Sequence, residues 1–477
     1  MQKLDVVVMW FRQDLRLEDN PALVAASQHK NILPIYILDE ENIPNFMMGQ
    51  ASRWWLQRSL ESLDAKLEGN LSLYKGSAEL ILEAIVDKFS VKAIYWNRCY
   101  EPWRISLDAR IKKHFDKNDI QVKTFNGSLL WEPWDIVKAD GTPYKVFTPF
   151  YRKGCLSAPQ PRSPLFAPKT LELLRDSTGS HGMEISKLLP KIPWYETMDS
   201  LWTPGEDGAH SALKIFLNNG LSGYKEERNF PAKSNVSRLS PHIHFGEVSP
   251  NQVWYQAQEM ESISGSVKDL EHFRSELGWR EFSYNLLFHF PDLVDTNFQK
   301  KFDDFPWRKD VDLLTRWQTG STGYPIVDAG MRELWQTGYI HNRVRMVAGS
   351  FLVKNLMMDW REGERWFWDC LVDADLANNA ASWQWVAGSG ADAAPYFRIF
   401  NPVTQGMKFD KDGGYTRKFV PELEKLPNKF LFTPWEAPQS ILEAAGVELG
   451  KDYPYPIVDL KESRARALEA FASIKKE

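Results

Sequence analysis

The chain has 477 residues, of which 43% are hydrophobic and 25% charged, and its formal net charge is −5. This composition is typical of a globular protein with two or three domains, and it gives no general basic character for coating DNA. Three cysteines exclude a disulfide framework and a four-cysteine cluster, and no apolar run predicts a membrane span or a signal peptide, so we expect a cytoplasmic protein.

Short apolar runs alternate with helical patterns over the first 135 residues. The runs lie at residues 5–10, 32–38, 71–74, 93–96 and 122–125, and the clearest helical patterns lie at 51–67 and 77–89. Strand–helix alternation predicts a doubly wound, parallel, five-stranded sheet of the Rossmann-like α/β class. The first domain is therefore predicted at residues 1–135.

The alternation of strand and helix patterns ends after residue 135. Residues 136–205 are rich in proline and predict a long connector that wraps over the surface. Residues 206–477 predict an all-α domain, with helical periodicity at 209–218, 250–260, 267–290, 310–318, 326–336, 343–359 and 364–372 and again in the tail. Gly388, Gly390 and Ala393 fit a dinucleotide pattern but follow no strand, and His242 and His244 have no matching ligands, so we predict no metal site.

Several contiguous motifs resemble the photolyase/cryptochrome family. They are MWFRQDLRLEDNPAL (residues 9–23), SRLSPHIHFGEVSP (237–250), ELGWREF (276–282), GYPIVDAGMREL (323–334), HNRVRM (341–346), DADLANN (373–379), SWQW (382–385) and DAAPYFRIFNP (392–402). These motifs are spread from residue 9 to residue 402, so the resemblance extends over nearly the whole chain. It implies that residues 1–135 are an antenna-binding domain and that residues 206–477 are a FAD-binding catalytic domain.

The resemblance assigns a flavin site residue by residue. The implied FAD-binding residues are Tyr224, Ser237, Arg238, Leu239, Ser240, Trp279, Arg345, Asp373, Asp375 and Asn379. Serine hydroxyls and backbone N–H groups suit a pyrophosphate, and Arg345 opposite Asp373 is expected to form a buried ion pair beside the flavin ring.

Two further features of the family concern flavin redox chemistry. Asn379 matches the position that faces flavin N5, where photolyases have asparagine and plant cryptochromes have aspartate. An amide can hydrogen-bond either redox state without changing its own charge. Trp383, Trp360 and Trp307 match the tryptophan chain of flavin photoreduction, with Trp307 at the surface. Asn378 is expected to have only a structural role.

The resemblance also implies a pocket for a cyclobutane pyrimidine dimer. Glu276, Trp279 and Arg280 share one helix face, and Asn342 and Met346 share another. The implied catalytic residues are Glu276, Trp279, Asn342, Met346 and Asn379. The implied DNA-binding residues are Arg228, Glu276, Trp279, Arg280, Asn342, Arg343, Trp385 and Gln405. Arg345 is another candidate near the DNA, but the flavin-side ion pair is preferred.

The resulting hypothesis is blue-light-dependent repair of cyclobutane dimers, as in class III photolyases, by an electron from reduced FAD. Asn342 cannot titrate and stands where (6-4) photolyases have a proton-donating histidine. A (6-4) photolyase and a cryptochrome without repair activity are the alternatives. The resemblance implies methenyltetrahydrofolate as antenna, with Glu40, Glu41 or Trp54 as candidate contacts, and UV-damaged DNA as partner of a monomer that needs no protein partner.

Overall fold

Contacts between residues divide the chain into two units. A computed structural model describes residues 3–43, 46–176, 188–189, 193–260 and 267–474. Unit 1 comprises Met1–Trp194, Trp202–Ser222 and Ser237–Pro291, and unit 2 comprises Tyr195–Leu201, Gly223–Val236 and Asp292–Glu477. The domain boundaries at residues 135 and 205 mark where strand signals end in the sequence, and they stay a prediction.

Unit 1 is built on a five-stranded parallel sheet. Its strands are β1 (Asp5–Phe11), β2 (Ile32–Leu38), β3 (Ser72–Lys75), β4 (Ser90–Asn97) and β5 (Gln121–Phe125), in the order β3-β2-β1-β4-β5. At the centre, Val8 pairs with Leu33 on one side and with Ile94 on the other. β2 is apolar and buried along its whole length, and β1 is so after the exposed Asp5, because both faces of a parallel sheet are covered. The predicted fold class of this part is confirmed.

After β5 the described residues form helices, turns and isolated bridges. The α-helices in chain order are α1 (Pro21–Ala26), α2 (Gln50–Lys66), α3 (Ala78–Lys88), α4 (Pro102–Asp116), α5 (Phe147–Pro149), α6 (Glu196–Leu201), α7 (Glu206–Ile215), α8 (Tyr224–Glu227), α9 (Ser240–His244), α10 (Pro250–Glu259), α11 (Val267–His289), α12 (Val311–Gln318), α13 (Pro325–Thr337), α14 (Asn342–Ser350), α15 (Trp360–Cys370), α16 (Leu376–Ala387), α17 (Pro402–Phe409), α18 (Gly414–Phe419), α19 (Asn428–Leu431), α20 (Gln439–Ala445) and α21 (Leu460–Ser473). The predicted helical character of the second part of the chain is confirmed.

The predicted helix over residues 343–359 was too long. The α-helix ends at Ser350 and is followed by one wide turn, Phe351–Asn355. Met357 then takes a left-handed backbone conformation at φ 57°, and its carbonyl accepts a hydrogen bond from the Arg308 backbone at 2.8 Å. Apolar periodicity continues through this bend because its side chains stay buried, so the pattern could not show where the helix ends.

The segment that fits a dinucleotide pattern is the end of a helix. Gly388 follows α16 with φ 95°, a conformation that favours glycine, and its N–H bonds back to Gln384 and Trp385. The prediction that this segment is not a nucleotide-binding turn is confirmed. No helix in the described part of the chain is long and apolar enough to cross a membrane.

The predicted connector is described up to residue 176, and only parts of 177–205 are described. A short helical stretch runs over α5, the π turn Phe150–Gly154 and the 3-10 turn Cys155–Ser157. Farther along, Ile32 exchanges backbone hydrogen bonds with Glu172 and Leu174, each at 2.8 Å. The connector is thus tied through its backbone to the first residue of β2.

Candidate functional site

Arg345 and Asp373 form the predicted ion pair within unit 2. Nη2 of Arg345 lies 2.8 and 3.1 Å from the two carboxylate oxygens, and Nε donates to the Ile340 carbonyl at 2.7 Å. Burial works against the charge of the guanidinium, but Asp373 outweighs it, and the pKa of Arg345 is raised. The guanidinium therefore keeps its charge, and the contact with Asp373 fixes the direction of Arg345, whose side chain is one-quarter exposed.

The start of α16 brings the acidic and amide residues of the DADLANN motif together. Asp375 is the N-cap, and one carboxylate oxygen accepts from the backbone N–H of Asn378 at 2.9 Å and from its side-chain amide at 2.6 Å. Asn378 thus has the expected structural contact. Asn379, the next residue, is buried, and its amide nitrogen donates to the Glu364 carbonyl at 3.1 Å.

Glu364 was not singled out in the sequence. Its side chain is 3% exposed, and its Oε1 has no hydrogen-bond partner among the residues that the structure describes. Burial raises the pKa of this carboxyl to about 8, although Arg361 and Arg365 act to lower it. A neutral, buried carboxyl group therefore lies at the residue whose backbone orients Asn379.

The three tryptophans assigned to photoreduction belong to the aromatic core of unit 2. Trp383 and Trp360 are buried, and Trp307 is half-buried and packs against the same core. Trp360 donates from Nε1 to Asn297 at 2.9 Å, and Trp383 lies edge-on to Phe367 with ring centroids 4.9 Å apart. The order of burial agrees with Trp307 at the outer end, whereas the electron path itself stays a prediction.

Gly363 makes room for Trp383. A Cβ atom added to Gly363 would lie 2.1 Å from the indole ring, so the ring lies directly on the backbone of α15. Any side chain at this position must displace Trp383, a close approach that favours glycine. The sequence shows this glycine inside a helix, but not which ring needs the space.

Arginines crowd around the start of α14 in unit 2. Arg343 donates to the Asn229 side chain, and its guanidinium lies 4.4 Å from the centre of the Phe409 ring. Burial lowers the pKa of Arg343, and the charges of Arg228 and exposed Arg398 lower it further. Positive charges that act on one another in this way favour an anion nearby.

Arginine charges also act on His341, the N-cap residue of α14. Its Nδ1 accepts from the Arg343 backbone at 3.2 Å, and the ring is nearly fully buried. Burial, together with Arg228, Arg343 and Arg345, lowers the pKa of His341 to about 3. The imidazole is therefore neutral at physiological pH. Asn342, one residue on, is exposed, and Met346 is half-buried one turn later.

Three other assigned residues of unit 2 lie on separate elements. Tyr224 begins α8 and is buried, with its ring under the Arg228 guanidinium at 5.3 Å. Trp385 is half-buried on α16 and Gln405 is half-buried on α17. Their shared role stays a prediction.

Helix α11 carries the assigned residues of unit 1. Glu276 and Trp279 are half-buried, and Glu276 lies 3.8 Å from His272 one turn earlier. Trp279 stacks on Phe147, with ring centroids 3.7 Å apart and planes 9° apart. Arg280 donates to the Ser128 carbonyl at 2.8 Å, which gives it a structural contact beside its predicted contact with DNA.

The segment Ser237–Ser240 leads into α9 in unit 1. Arg238 takes a left-handed conformation at φ 53° and lies over the Trp202 ring at 4.9 Å, while the Leu239 N–H bonds to the Ser237 hydroxyl at 3.4 Å. The Ser237 side chain is half-buried and Ser240 is exposed. Their hydroxyl groups thus lie on a constrained turn.

His242 has the structural role that was predicted for it. Its ring pairs with the fully buried Glu247, which also accepts from the Trp55 indole at 2.9 Å and from the Gly205 backbone at 2.7 Å. In the described residues, one His/Cys/Asp/Glu group brings three ligand atoms together, at Glu18, Glu206 and His210. Glu206 already accepts from the backbone N–H groups of Leu17 and Glu18, so this group gives no argument for a metal.

Two of the candidate antenna contacts are engaged elsewhere. Trp54 is fully buried by protein atoms, so neither face of its ring is open to a pterin. The prediction that Trp54 contacts the antenna is therefore wrong. Glu40 pairs with Arg53 and Lys75.

Comparison with known proteins gives consistent matches over the chain. The model for DNA photolyase matches residues 7–168, and that for the FAD binding domain of DNA photolyase matches residues 273–473. A deoxyribodipyrimidine photo-lyase of Agrobacterium fabrum is 49% identical over 98% of both chains, and cryptochrome-1 of Arabidopsis thaliana is 37% identical over 98% of this chain and 70% of its own length.

Solved structures agree with these matches. A class III photolyase from Agrobacterium tumefaciens has a TM-score of 0.95 at 48% identity and covers 100% of this chain and 99% of its own. A Synechocystis cryptochrome has a TM-score of 0.90 at 30% identity and covers 98% of this chain and 100% of its own.

Proposed function

The chain belongs to the photolyase/cryptochrome family, and we propose that it repairs cyclobutane pyrimidine dimers in DNA under blue light. It is a FAD-binding enzyme of the deoxyribodipyrimidine photo-lyase class. Bound FAD, when reduced and excited, would supply an electron to the dimer, whose two cyclobutane C–C bonds then open, and the electron would return to the flavin so that no net oxidation or reduction occurs. The protein must then hold the flavin, receive the dimer of two adjacent pyrimidines after it has flipped out of the duplex, and keep water from the reacting bonds.

The FAD-binding residues are proposed from the family positions and supported by their chemistry. In unit 2 these are Tyr224, Arg345, Asp373, Asp375 and Asn379. In unit 1 they are Ser237, Arg238, Leu239, Ser240 and Trp279. Each set has chemistry that suits part of a flavin dinucleotide: in unit 1 the serine hydroxyl groups suit a phosphate, and in unit 2 the Arg345–Asp373 contact and the Asn379 amide suit a polar ring edge.

The direction of the Asn379 amide supports its proposed role at the flavin. Its nitrogen donates one of its two N–H groups to the Glu364 carbonyl, which leaves the second N–H to donate and the oxygen to accept. Asn379 is thus proposed to hydrogen-bond flavin N5 whether or not that nitrogen carries a proton, without changing its own charge.

The lesion-binding residues are also proposals. On α11, Trp279 is proposed to stack on the dimer and Glu276 to hydrogen-bond a pyrimidine edge and stabilise the charge that develops there. On α14, exposed Asn342 and half-buried Met346 lie one turn apart and are proposed to contact the dimer. Trp385, Gln405 and Arg280 are proposed DNA contacts.

One observation carries the DNA-binding proposal. Arg343 is held by the side chain of Asn229, the residue after Arg228, and by the Phe409 ring, and the charges of Arg228 and Arg398 lower its pKa. A phosphate backbone would relieve this repulsion, and binding would then weaken as salt is raised. Arg398 was not assigned from the sequence and is added to the proposed phosphate contacts.

Three further proposals concern the cellular form of the protein. We propose methenyltetrahydrofolate as its antenna, a cytoplasmic location, and a monomer that works without a protein partner. An absorbance band additional to that of the flavin, which disappears on removal of folate, would support the first. A mass measurement in solution tests the third.

Repair of UV-irradiated oligothymidine tests the function. Purified protein reduced with dithionite should restore thymine absorbance in blue light and not in darkness. Glu276→Ala should lower the repair yield while FAD stays bound, and an unchanged yield would remove its proposed role. If the wild-type protein binds and photoreduces FAD but repairs nothing in light, a cryptochrome-like sensor replaces the proposal.

A further inference from the structure

Three aromatic rings form a nearly parallel stack along α11 in unit 1. Trp279 lies face to face with Phe147 at 3.7 Å between ring centroids, and Phe147 lies 5.6 Å from Tyr151. The planes of both pairs differ by 9°. The order of the stack is therefore Trp279, Phe147, Tyr151, with Trp279 at its outer end.

Gly278 fixes the position of this stack against the helix. A Cβ atom added to Gly278 would lie 2.4 Å from the Tyr151 ring. Tyr151 thus packs directly on the helix backbone beside Trp279. Phe282, one turn below Trp279, meets both Phe147 and Trp279 edge-on at centroid distances of 6.0 and 5.9 Å. The stack is therefore held by the helix backbone at Gly278 on one side and by the edge-on Phe282 ring on another.

Phe147 covers one face of the Trp279 ring. Its neighbours Val146 and Thr148 are exposed, whereas Phe147 is half-buried because it turns toward α11. An indole has two faces, so a stacked base can occupy only the opposite face of Trp279. The stack also restricts a large side chain that would otherwise sample several rotamers, and binding to a fixed side chain costs less conformational entropy.

We propose that Phe147 is a positioning residue for lesion binding, which holds Trp279 in one orientation and directs its free face toward the flipped dimer. This inference rests on the proposed stacking role of Trp279. It assigns a function to the short helical stretch of the connector, for which the motifs suggested none. Phe147 itself does not contact the dimer.

A double-mutant cycle tests this inference. The measured quantities are the Kd values for an oligothymidine that contains one cyclobutane dimer and for the same strand without the dimer. An aromatic pair contributes an amount equivalent to about 2- to 12-fold in affinity, so Phe147→Ala should weaken binding of the damaged strand by that factor. Trp279→Ala should weaken it by roughly 5- to 150-fold, the range for a base–aromatic stack. Phe147→Ala should have no further effect in the Trp279→Ala background.

Additional variants separate stacking from simple filling of space. Phe147→Tyr keeps the aromatic face and should bind the damaged strand like the wild type, whereas Phe147→Leu fills much of the space and should still bind more weakly. Phe166→Ala removes a ring that is 94% exposed and serves as the matched control. FAD content and circular dichroism verify folding, and if Phe147→Ala does not fold, the leucine and tyrosine variants decide.

The outcomes distinguish the two levels of the proposal. Unchanged affinity in Phe147→Ala with a loss in Trp279→Ala overturns the positioning role alone. An equal loss for damaged and undamaged strands, or a loss that persists in the Trp279→Ala background, also overturns it. If Trp279→Ala binds the damaged strand normally, the stacking role in the proposed function fails, and the inference fails with it.

Discussion

Replacement of Glu364 by glutamine should make the protein more stable at high pH. Burial raises the pKa of Glu364 to about 8, against an ordinary value of 4.5 for glutamate. Between these two values the folded state keeps the proton that the unfolded state loses, so the free energy of unfolding falls as pH rises. Glutamine has nearly the shape of the protonated acid and does not titrate.

The size of this effect follows from the difference between the two pKa values. About 3.5 pH units at 1.36 kcal/mol each give an upper value of about 5 kcal/mol, reached near pH 8. Near pH 4.5 the two proteins should differ only by the constant effect of the substitution. The advantage of Glu364→Gln should thus grow steadily from pH 5 to pH 8.

Thermal unfolding, followed by release of flavin fluorescence, measures this trend for both proteins from pH 5 to pH 8.5. Glu362→Gln on the same helix is the matched control, because its side chain is 41% exposed and pairs with Arg365. A difference between Glu364→Gln and wild type that is the same at every pH would refute the reasoning, since it would mean that Glu364 is not held as a neutral acid.

Three further substitutions test other contacts of unit 2. Gly363→Ala should displace the Trp383 ring, lower the free energy of unfolding by about 1–3 kcal/mol and slow flavin photoreduction, whereas Gly349→Ala, whose added carbon would lie 3.3 Å from its nearest neighbour, should do so less. Trp383→Phe should block photoreduction but leave repair intact after chemical reduction; normal photoreduction in this variant would contradict the proposed tryptophan chain. His341→Asn keeps an N-cap acceptor and should make the protein more stable to acid than the wild type. The pKa of His341 is lowered to about 3 in the folded state, so below pH 6.5 the unfolded state gains a proton that the folded state does not, and the wild type loses stability as the pH falls. An acid-unfolding midpoint that does not move would show that His341 is protonated in the folded protein.

The sequence by itself determined the fold class and the family. Apolar runs that recur between amphipathic helices are set by burial along the chain. They predicted β1, β2, β3 and β5 to within one residue at each end, but they missed the first three residues and the last residue of β4, where Ser90, Lys92 and Asn97 interrupt the apolar pattern. Long motifs such as DADLANN and HNRVRM gave the family. Even the Arg345–Asp373 pair followed from them, because opposite charges in a buried setting need each other.

Only the tertiary structure decided which distant residues touch. No periodicity in the sequence predicts the bend after Ser350 or the space that Gly363 leaves for Trp383. The same is true of the hydrogen bond between Asn379 and Glu364, the effect of Arg398 on the pKa of Arg343, and the stacking of Phe147 on Trp279. Periodicity records whether a side chain is buried, not what it is buried against. The partner, its distance and its charge set a pKa or a ring orientation, and they arise only when the chain is folded.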